Sequence, residues 1–361
     1  MKKFDVDKYL RKNPAPPLAL TEKFRFAAVI PAYDENEHIH TTLSSIRESV
    51  AFAGIPVITI VVINYPSGAD PRQSEALFKQ YENGDFPADT AVIYLPELSG
   101  GVGAARKAGM DAFIHQLSPE DMEKSVIFSI DADTVIEKEY FTVVLPEVLS
   151  GGAVSIPFSH QKAVDPAGQQ AINRYEAYLQ RYVDCLKYAD SPYAFHSIGS
   201  AFAVRADTCI RAGGMKVRSA GEDFYFLQAV AKSSGVRQLS GRALVHPSAR
   251  ISERVPFGTG PAVASLLAGN QLNEIPDEAF EELKLLLAVF RQDENLKNLP
   301  ESVKFLSGCA EKFLVKEGFF NAWENMCRNI PDSAEKRQKA FHEWFDGLKT
   351  LKFLHFFSDL P

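Results

Sequence analysis

Every residue of the run 57–63, VITIVVI, is β-branched. Such side chains are stiff at χ1 and suit a pleated strand, and here both alternating sides of the strand are apolar. A strand with no face to offer to water must be covered above and below, as inside a sheet flanked by helices. The neighbouring sequence supplies the partners. FRFAAVI (24–30) reads as a buried strand and is followed by Ile39, Leu43, Ile46 and Val50, whose spacing marks one face of a helix. A polar helix around 74–81 leads to a strand at AVIYL (91–95). VGAARKAGMDAFIHQL reads as a helix, SVIFSI (125–130) as a fourth strand, 139–149 as a helix and GAVSIPF (152–158) as another strand. This alternation predicts an α/β fold built on a mostly parallel sheet. Ligands of such sheets lie outside the carboxyl ends of the strands, so the residues that follow each run are the candidates for chemistry.

The second half has a different texture. An amphipathic segment over 169–188 precedes the strand-like FHSIGSAFAVR, then RAGGM, AGEDFYFLQAVAKSSG and LVHPSAR. From about Ser265 onward Phe280, Leu283, Leu287 and Phe290 recur at helical spacing, with further helices over 301–327 and 333–357. The organisation expected is a leader over 1–23 containing the stiff NPAPPLAL, an α/β domain over 24–264 and an all-helical appendage over 265–361. The greasy and basic LKTLKFLHFF (348–357) is expected to pack on the α/β domain or to form a homo-oligomer contact. With 39 basic against 46 acidic residues, a net charge of -7, the chain is a poor partner for nucleic acid. No stretch approaches the ~18 apolar residues of an integral membrane segment. The four cysteines include no C-x-x-C pair, which fits a reducing, cytoplasmic setting.

Four stretches carry chemistry. SIDADT ends an apolar strand on Asp131 and Asp133, which in extended backbone project to the same side. Two such carboxylates make a hard-oxygen site suited to Mg²⁺ or Mn²⁺ completed by phosphate oxygens, and the same acids also suit a cap for a helix starting near Glu137. SGGVGAARKAG (99–109) places glycines before a helix with Arg106 and Lys107 in its first turns, an anion-binding arrangement or a plain tight turn with a surface arginine. It is no dinucleotide fingerprint, because Arg106 stands where the third glycine belongs and the motif follows the third strand. PAYDENEHI (31–39) sets Asp34, Glu35 and Asn36 at the first strand end, where they cap a helix or bond a nucleoside. Glu222 and Asp223 open a helix, which an acid pair stabilises through the dipole. His246, a candidate metal ligand, stands near Arg250 and Arg254, which suit either an anionic substrate or the surface.

Taken in order, VIPAYDENEHI, GGVGAARKAGMD, SIDADT, GSAFAVRADTCIRAGGM and GEDFYFLQAV resemble the nucleotide-diphospho-sugar glycosyltransferases of the GT-A fold, family 2 in particular. The resemblance spans about 200 residues and stops before the helical tail. It implies a catalytic domain that binds a nucleotide-diphospho-sugar donor and transfers the sugar to a hydroxyl acceptor. By position, Ala32, Tyr33 and Glu35 would line the nucleoside site, and Gly103 and Arg106 would border the diphosphate. Asp131 and Asp133 would hold the cation, and Asp223 of the Glu222–Asp223 pair would be the general base of an inverting reaction. The family's D-D-G-S-type segment is replaced by INYPSGAD, with Asn64 and then Asp70, and the Q-x-x-R-W of processive synthases is absent. Single transfer is the expectation. A nucleotidyltransferase or a non-catalytic nucleotide-sugar-binding protein are the alternatives.

Overall fold

The computed structural model describes residues 3–20, 22–218, 221–251 and 258–358. The chain divides into two compact units, Met1–Glu176 with Phe195–Gln271, and Ala177–Ala194 with Leu272–Pro361.

The first unit is α/β. Its strands are β1 (Phe26–Ala32), β2 (Ile58–Asn64), β3 (Thr90–Leu95), β4 (Val126–Ser129), β5 (Val135–Ile136), β6 (Ala153–Ser155), β7 (Phe202–Arg205), β8 (Arg237–Gln238) and β9 (Val245–His246). Its helices are α1 (Lys3–Lys12), α2 (Ile39–Ala53), α3 (Arg72–Glu82), α4 (Gly101–Ile114), α5 (Tyr140–Gly151), α6 (Pro166–Tyr188, which ends in the second unit), α7 (Ala206–Arg211), α8 (Glu222–Ser234) and α9 (Thr259–Leu267). Seven strands form one sheet in the order β3-β2-β1-β4-β7-β6-β8, all parallel except β7. All seven residues of β2 are buried, the six β-branched ones and Asn64 at its end. β4 is buried along its length, with Phe128 edge-on to Phe141, and each such side chain contributes about 1.5–3 kcal/mol by leaving water. α4 lies tight on the sheet because position 109 has no side chain: a Cβ there would stand 2.5 Å from Val29 Cγ1 and 2.9 Å from Val62 Cγ2.

The chain leaves β1 for β2 and β3 on one side and returns to β4 on the other. Between the carboxyl ends of β1 and β4 this reversal opens a crevice, the usual ligand position in an open parallel sheet. The PAYDENEHI and SIDADT segments both follow strands that end there. A second, two-stranded sheet pairs β5 with β9 antiparallel, Val135 opposite His246, and brings the LVHPSAR segment beside the chain leaving the SIDADT turn. The leader stretch contains α1, whose Val6 and Tyr9 are buried, Tyr9 donating to Asp111 of α4 at 2.6 Å.

The second unit is helical, with α10 (Asp277–Arg291), α11 (Asp293–Lys297), α12 (Leu299–Ser302), α13 (Gly308–Lys316), α14 (Phe319–Cys327), α15 (Ala334–Trp344) and α16 (Gly347–Ser358) joined by the end of α6. The periodic residues Phe280, Leu283, Leu287 and Phe290 are buried in its core, where Phe290 meets Phe319 and Phe341. The tail helix α16 puts Phe353 and Leu354 into that same core, Phe353 lying 5.2 Å from Phe313. Among the described residues no helix is long and apolar enough to cross a membrane, and all four cysteines are free.

Candidate active site

β4 ends at Ser129, so Asp131 and Asp133 lie beyond the strand, in a turn closed by the Thr134 N–H on the Asp131 carbonyl at 3.1 Å. Their side chains are therefore not placed on a common side by the two-residue period of a strand. What separates them from the core is alternation within the turn: Ile130, Ala132 and Thr134 are buried, while Asp131 and Asp133 are partly exposed. Neither acid caps the next helix, because α5 begins at Tyr140, after Glu139, with no side-chain cap.

Each carboxylate has its own arginine. Arg106 of α4 is 1% exposed and donates through Nη2 to Asp131 Oδ1 at 2.8 Å. Its Nη1 donates to Ser129 Oγ at 2.6 Å and to the Gly199 carbonyl at 3.0 Å, and Nε lies 3.5 Å from Glu222 Oε1. Arg106 is thus a buried counter-ion rather than a surface arginine. Burial works against its charge, but Asp131 and Glu222 outweigh that effect and the guanidinium pKa is raised. Gly103, one turn earlier, faces the same way: a Cβ would lie 2.7 Å from the Arg218 carbonyl and 2.9 Å from Glu222 Cβ. Its lack of a side chain lets the start of α8 come against α4.

Asp223 follows Glu222 at that start. Glu222 is buried and Asp223 half-buried, its Oδ1 accepting from the Phe224 N–H at 2.7 Å. The Asp223 carboxyl is pushed up to about 7, first by burial and then by the charge of Glu222, while the Phe224 N–H and Arg106 pull it down less strongly. An acid with this pKa exchanges a proton readily near neutrality, as a general base must.

Arg250 serves the other carboxylate. Its Nη2 reaches Asp133 Oδ2 at 2.9 Å and also Glu35 Oε1, joining the two sides of the crevice. Arg254 lies outside the described residues. His246 is engaged at both ring nitrogens, Nδ1 with the Ser159 carbonyl at 2.9 Å and Nε2 with Glu137 Oε1 at 3.0 Å. Gln161 Nε2 donates to the carbonyls of Asp133 and His246 at 2.8 and 2.9 Å and so ties the acid turn to β9.

At the β1 end, Ala32 is in the core with its carbonyl accepting from Asn64 Nδ2 at 3.3 Å, and Tyr33 is partly exposed. The same Nδ2 donates to the Val62 carbonyl at 3.2 Å, so both amide hydrogens of Asn64 bind strand ends. Asp34 holds φ at 56°, a left-handed turn for which Asp is better suited than most residues. Asn36 does not cap α2: its Nδ2 donates to Gln73 Oε1 at 2.7 Å, and α2 starts at Ile39 with no side-chain cap.

The described residues of this region carry five carboxylates, Glu35, Asp131, Asp133, Glu222 and Asp223, against the two guanidiniums of Arg106 and Arg250. Among the described residues no group of three or more His, Cys, Asp or Glu side chains is arranged to hold a metal alone. Two carboxylates completed by phosphate oxygens are the ordinary Mg²⁺ arrangement, so the donor set fits a cation that arrives with a phosphorylated ligand.

A family model described as glycosyl transferase family 2 matches residues 27–199. No curated protein matches the chain. Among solved structures it is similar to S. aureus TarS 1–349 in complex with UDP-GlcNAc, at 15% identity over 73% of this chain and 71% of that one with a TM-score of 0.43. It is also similar to the mannosyltransferase PcManGT from Pyrobaculum calidifontis in complex with GDP-Man and Mn²⁺, at 16% identity over 94% and 92% with a TM-score of 0.44.

Proposed function

We propose, from the match of residues 27–199 to the glycosyl transferase family 2 model, that this chain transfers a sugar from a nucleotide-diphosphate donor to an acceptor hydroxyl, one sugar at a time and with inversion, in a cytoplasmic setting. The observation that carries the reading is the meeting, at the switch between β1 and β4, of the Asp131–Asp133 turn with the Glu222–Asp223 pair around Arg106, where burial and Glu222 push the Asp223 carboxyl up. Asp131 and Asp133 would hold Mg²⁺ or Mn²⁺, with His246 joining only by leaving Glu137. When bound, the cation would act as a Lewis acid on the departing diphosphate.

The chain's own residues do the rest. Arg106 holds Asp131 in place from below, and its four contacts leave it little freedom to turn. Arg250 supplies the second positive charge, and its partly exposed guanidinium can exchange Glu35 and Asp133 for phosphate oxygens. Tyr33, Glu35, the Ala32 backbone and the remaining acceptor of Asn64 flank the nucleoside. Gly103 keeps Glu222 and Asp223 close to α4, so the carboxyl of Asp223 sits within the charged cluster. Asp223 takes the acceptor's proton as its oxygen bonds to the anomeric carbon and the nucleoside diphosphate leaves. A side-chain base of this kind belongs to inversion by direct displacement.

Calorimetric titration with UDP- and GDP-sugars tests the cation. Binding to the best donor should be at least about tenfold tighter with Mn²⁺ than in EDTA, a difference of ~1.4 kcal/mol. Asp133→Asn should lose most of that difference. A variant that keeps the full metal dependence would remove Asp133 from the cation site.

A further inference from the structure

We propose that Gly199 is a positioning residue of the transfer site, fixing through Arg106 where the Asp131 carboxylate stands and keeping open the approach to Asp223. The inference rests on the donor-site reading above and gives a part in it to a residue without a side chain.

Gly199 lies in a tight turn ahead of β7, with the Ala201 N–H donating to the Ile198 carbonyl at 3.0 Å. Its φ is outside the left-handed region, so the backbone does not require glycine there. Space does. A Cβ at position 199 would stand 2.7 Å from Arg106 Nη2, 3.4 Å from Arg106 Cζ and 3.6 Å from Asp223 Oδ2. The Gly199 carbonyl accepts from Arg106 Nη1 at 3.0 Å and from Ser129 Oγ at 2.6 Å. One residue therefore touches the guanidinium that holds the acid turn and faces the carboxyl read as the base.

An exposed arginine would swing away from an added methyl at little cost. Arg106 is buried, with Nη1 bonded to Ser129 and Gly199 and Nε 3.5 Å from Glu222, so it cannot turn as a whole. The displacement falls on Nη2, and Nη2 is the atom that donates to Asp131 Oδ1 at 2.8 Å. Partners that orient a metal ligand matter almost as much as the ligand, and their loss commonly costs about 10–100-fold in metal affinity. At Asp223, Oδ1 accepts from the Phe224 N–H and Oδ2 is the oxygen nearest position 199. A methyl would lie against Oδ2, on ground that an acceptor hydroxyl needs if its proton is to be taken. A glycine kept only so that the chain can fold would show in stability and not in metal-dependent affinity.

The test is a double-mutant cycle on the full chain, with Kd for UDP and for GDP measured by calorimetry in Mn²⁺ and in EDTA, and folding checked by thermal unfolding. Gly199→Ala should weaken the preferred nucleotide about tenfold in Mn²⁺ and less than about twofold in EDTA. At saturating donor, nucleoside diphosphate release should also fall about tenfold. In an Arg106→Lys background, where no guanidinium fork meets position 199, Gly199→Ala should change Kd in Mn²⁺ by less than about twofold. Ser129→Ala adds no volume and removes the hydroxyl between Nη1 and the Gly199 carbonyl. It should cost about threefold in Mn²⁺, and it decides the matter if Gly199→Ala does not fold. Unchanged metal-dependent affinity in the folded variant overturns the inference and leaves the donor site standing. An equal loss in Mn²⁺ and EDTA, or in both Arg106 backgrounds, also overturns it, since Gly199 would then act on the fold and not through Arg106. Unchanged release at saturating donor overturns its Asp223 half. Absence of nucleotide binding by the unmutated chain overturns the donor-site reading and the inference with it.

Discussion

Asp223→Asn should leave donor affinity close to that of the unmutated chain and lower sugar transfer by about 10²–10⁴-fold. Asn keeps the size of Asp and can still accept from the Phe224 N–H, but it cannot take a proton. At 1.36 kcal/mol per decade the loss is ~3–5 kcal/mol of transition-state stabilisation. An acid acting only on the dipole of α8 is worth about 0.3–1 kcal/mol, and to stability rather than rate, so the magnitudes separate the two roles. The carboxyl at about 7 adds a pH signature. The base must be ionised, so transfer should fall about tenfold per unit as pH drops below 7 and level off above it. Stability runs the other way for this group. Its folded pKa is raised above that of the unfolded chain, so the folded state binds the extra proton and gains stability as pH falls from 7 towards 4. A rate loss at pH 6 would therefore not be unfolding driven by Asp223. Rates for wild type and variant across pH 5–9 check this. A folded variant with near-normal transfer, or with the same acid limb, would remove Asp223 from the mechanism.

Arg106→Met should destabilise the α/β unit by about 3–5 kcal/mol, the usual consequence of removing one member of a buried ion pair. The guanidinium is 1% exposed and faces Asp131 and Glu222, with Ser129 and the Gly199 carbonyl completing its contacts. Methionine fills much of the volume but leaves buried and half-buried carboxylates repelling one another without a cation. Arg106→Lys should recover only part of the loss, because a single ammonium cannot span Asp131, Ser129 and Gly199 as the planar fork does. Thermal unfolding should shift down by on the order of 10 °C for Arg106→Met. A shift of only a degree or two would mean that the cluster does not need this charge.

The sheet was legible because β-branched runs such as 57–63 have one physical solution, and the helical unit because Phe280–Phe290 keep their period. The acid turn was legible as chemistry but not as geometry, since a strand reading cannot see that β4 stops at Ser129. Arg106 was legible only as a cation near a helix start. Whether it faces water or the interior is decided by Gly199 and Glu222, which are distant in sequence. Arg250 was harder still, because the strands that deliver it, β5 and β9, have two residues each and show no pattern. The same holds for Gln161, whose position follows from pairing with 245–247. Of the two readings of Asn36 the cap fails, because a cap residue and a side-chain partner for Gln73 look alike until α2 is seen to start at Ile39.

Sugar transfer is tested most directly by nucleoside diphosphate release by the pure full chain from a panel of UDP- and GDP-sugars with Mn²⁺. Slow release from one donor is expected even without acceptor, water taking the sugar, with the release stopped by EDTA and by Asp133→Asn. Pyrophosphate in place of nucleoside diphosphate would point to nucleotidyl transfer. Tight donor binding without any release, with or without added sugar acceptors, would contradict catalysis altogether.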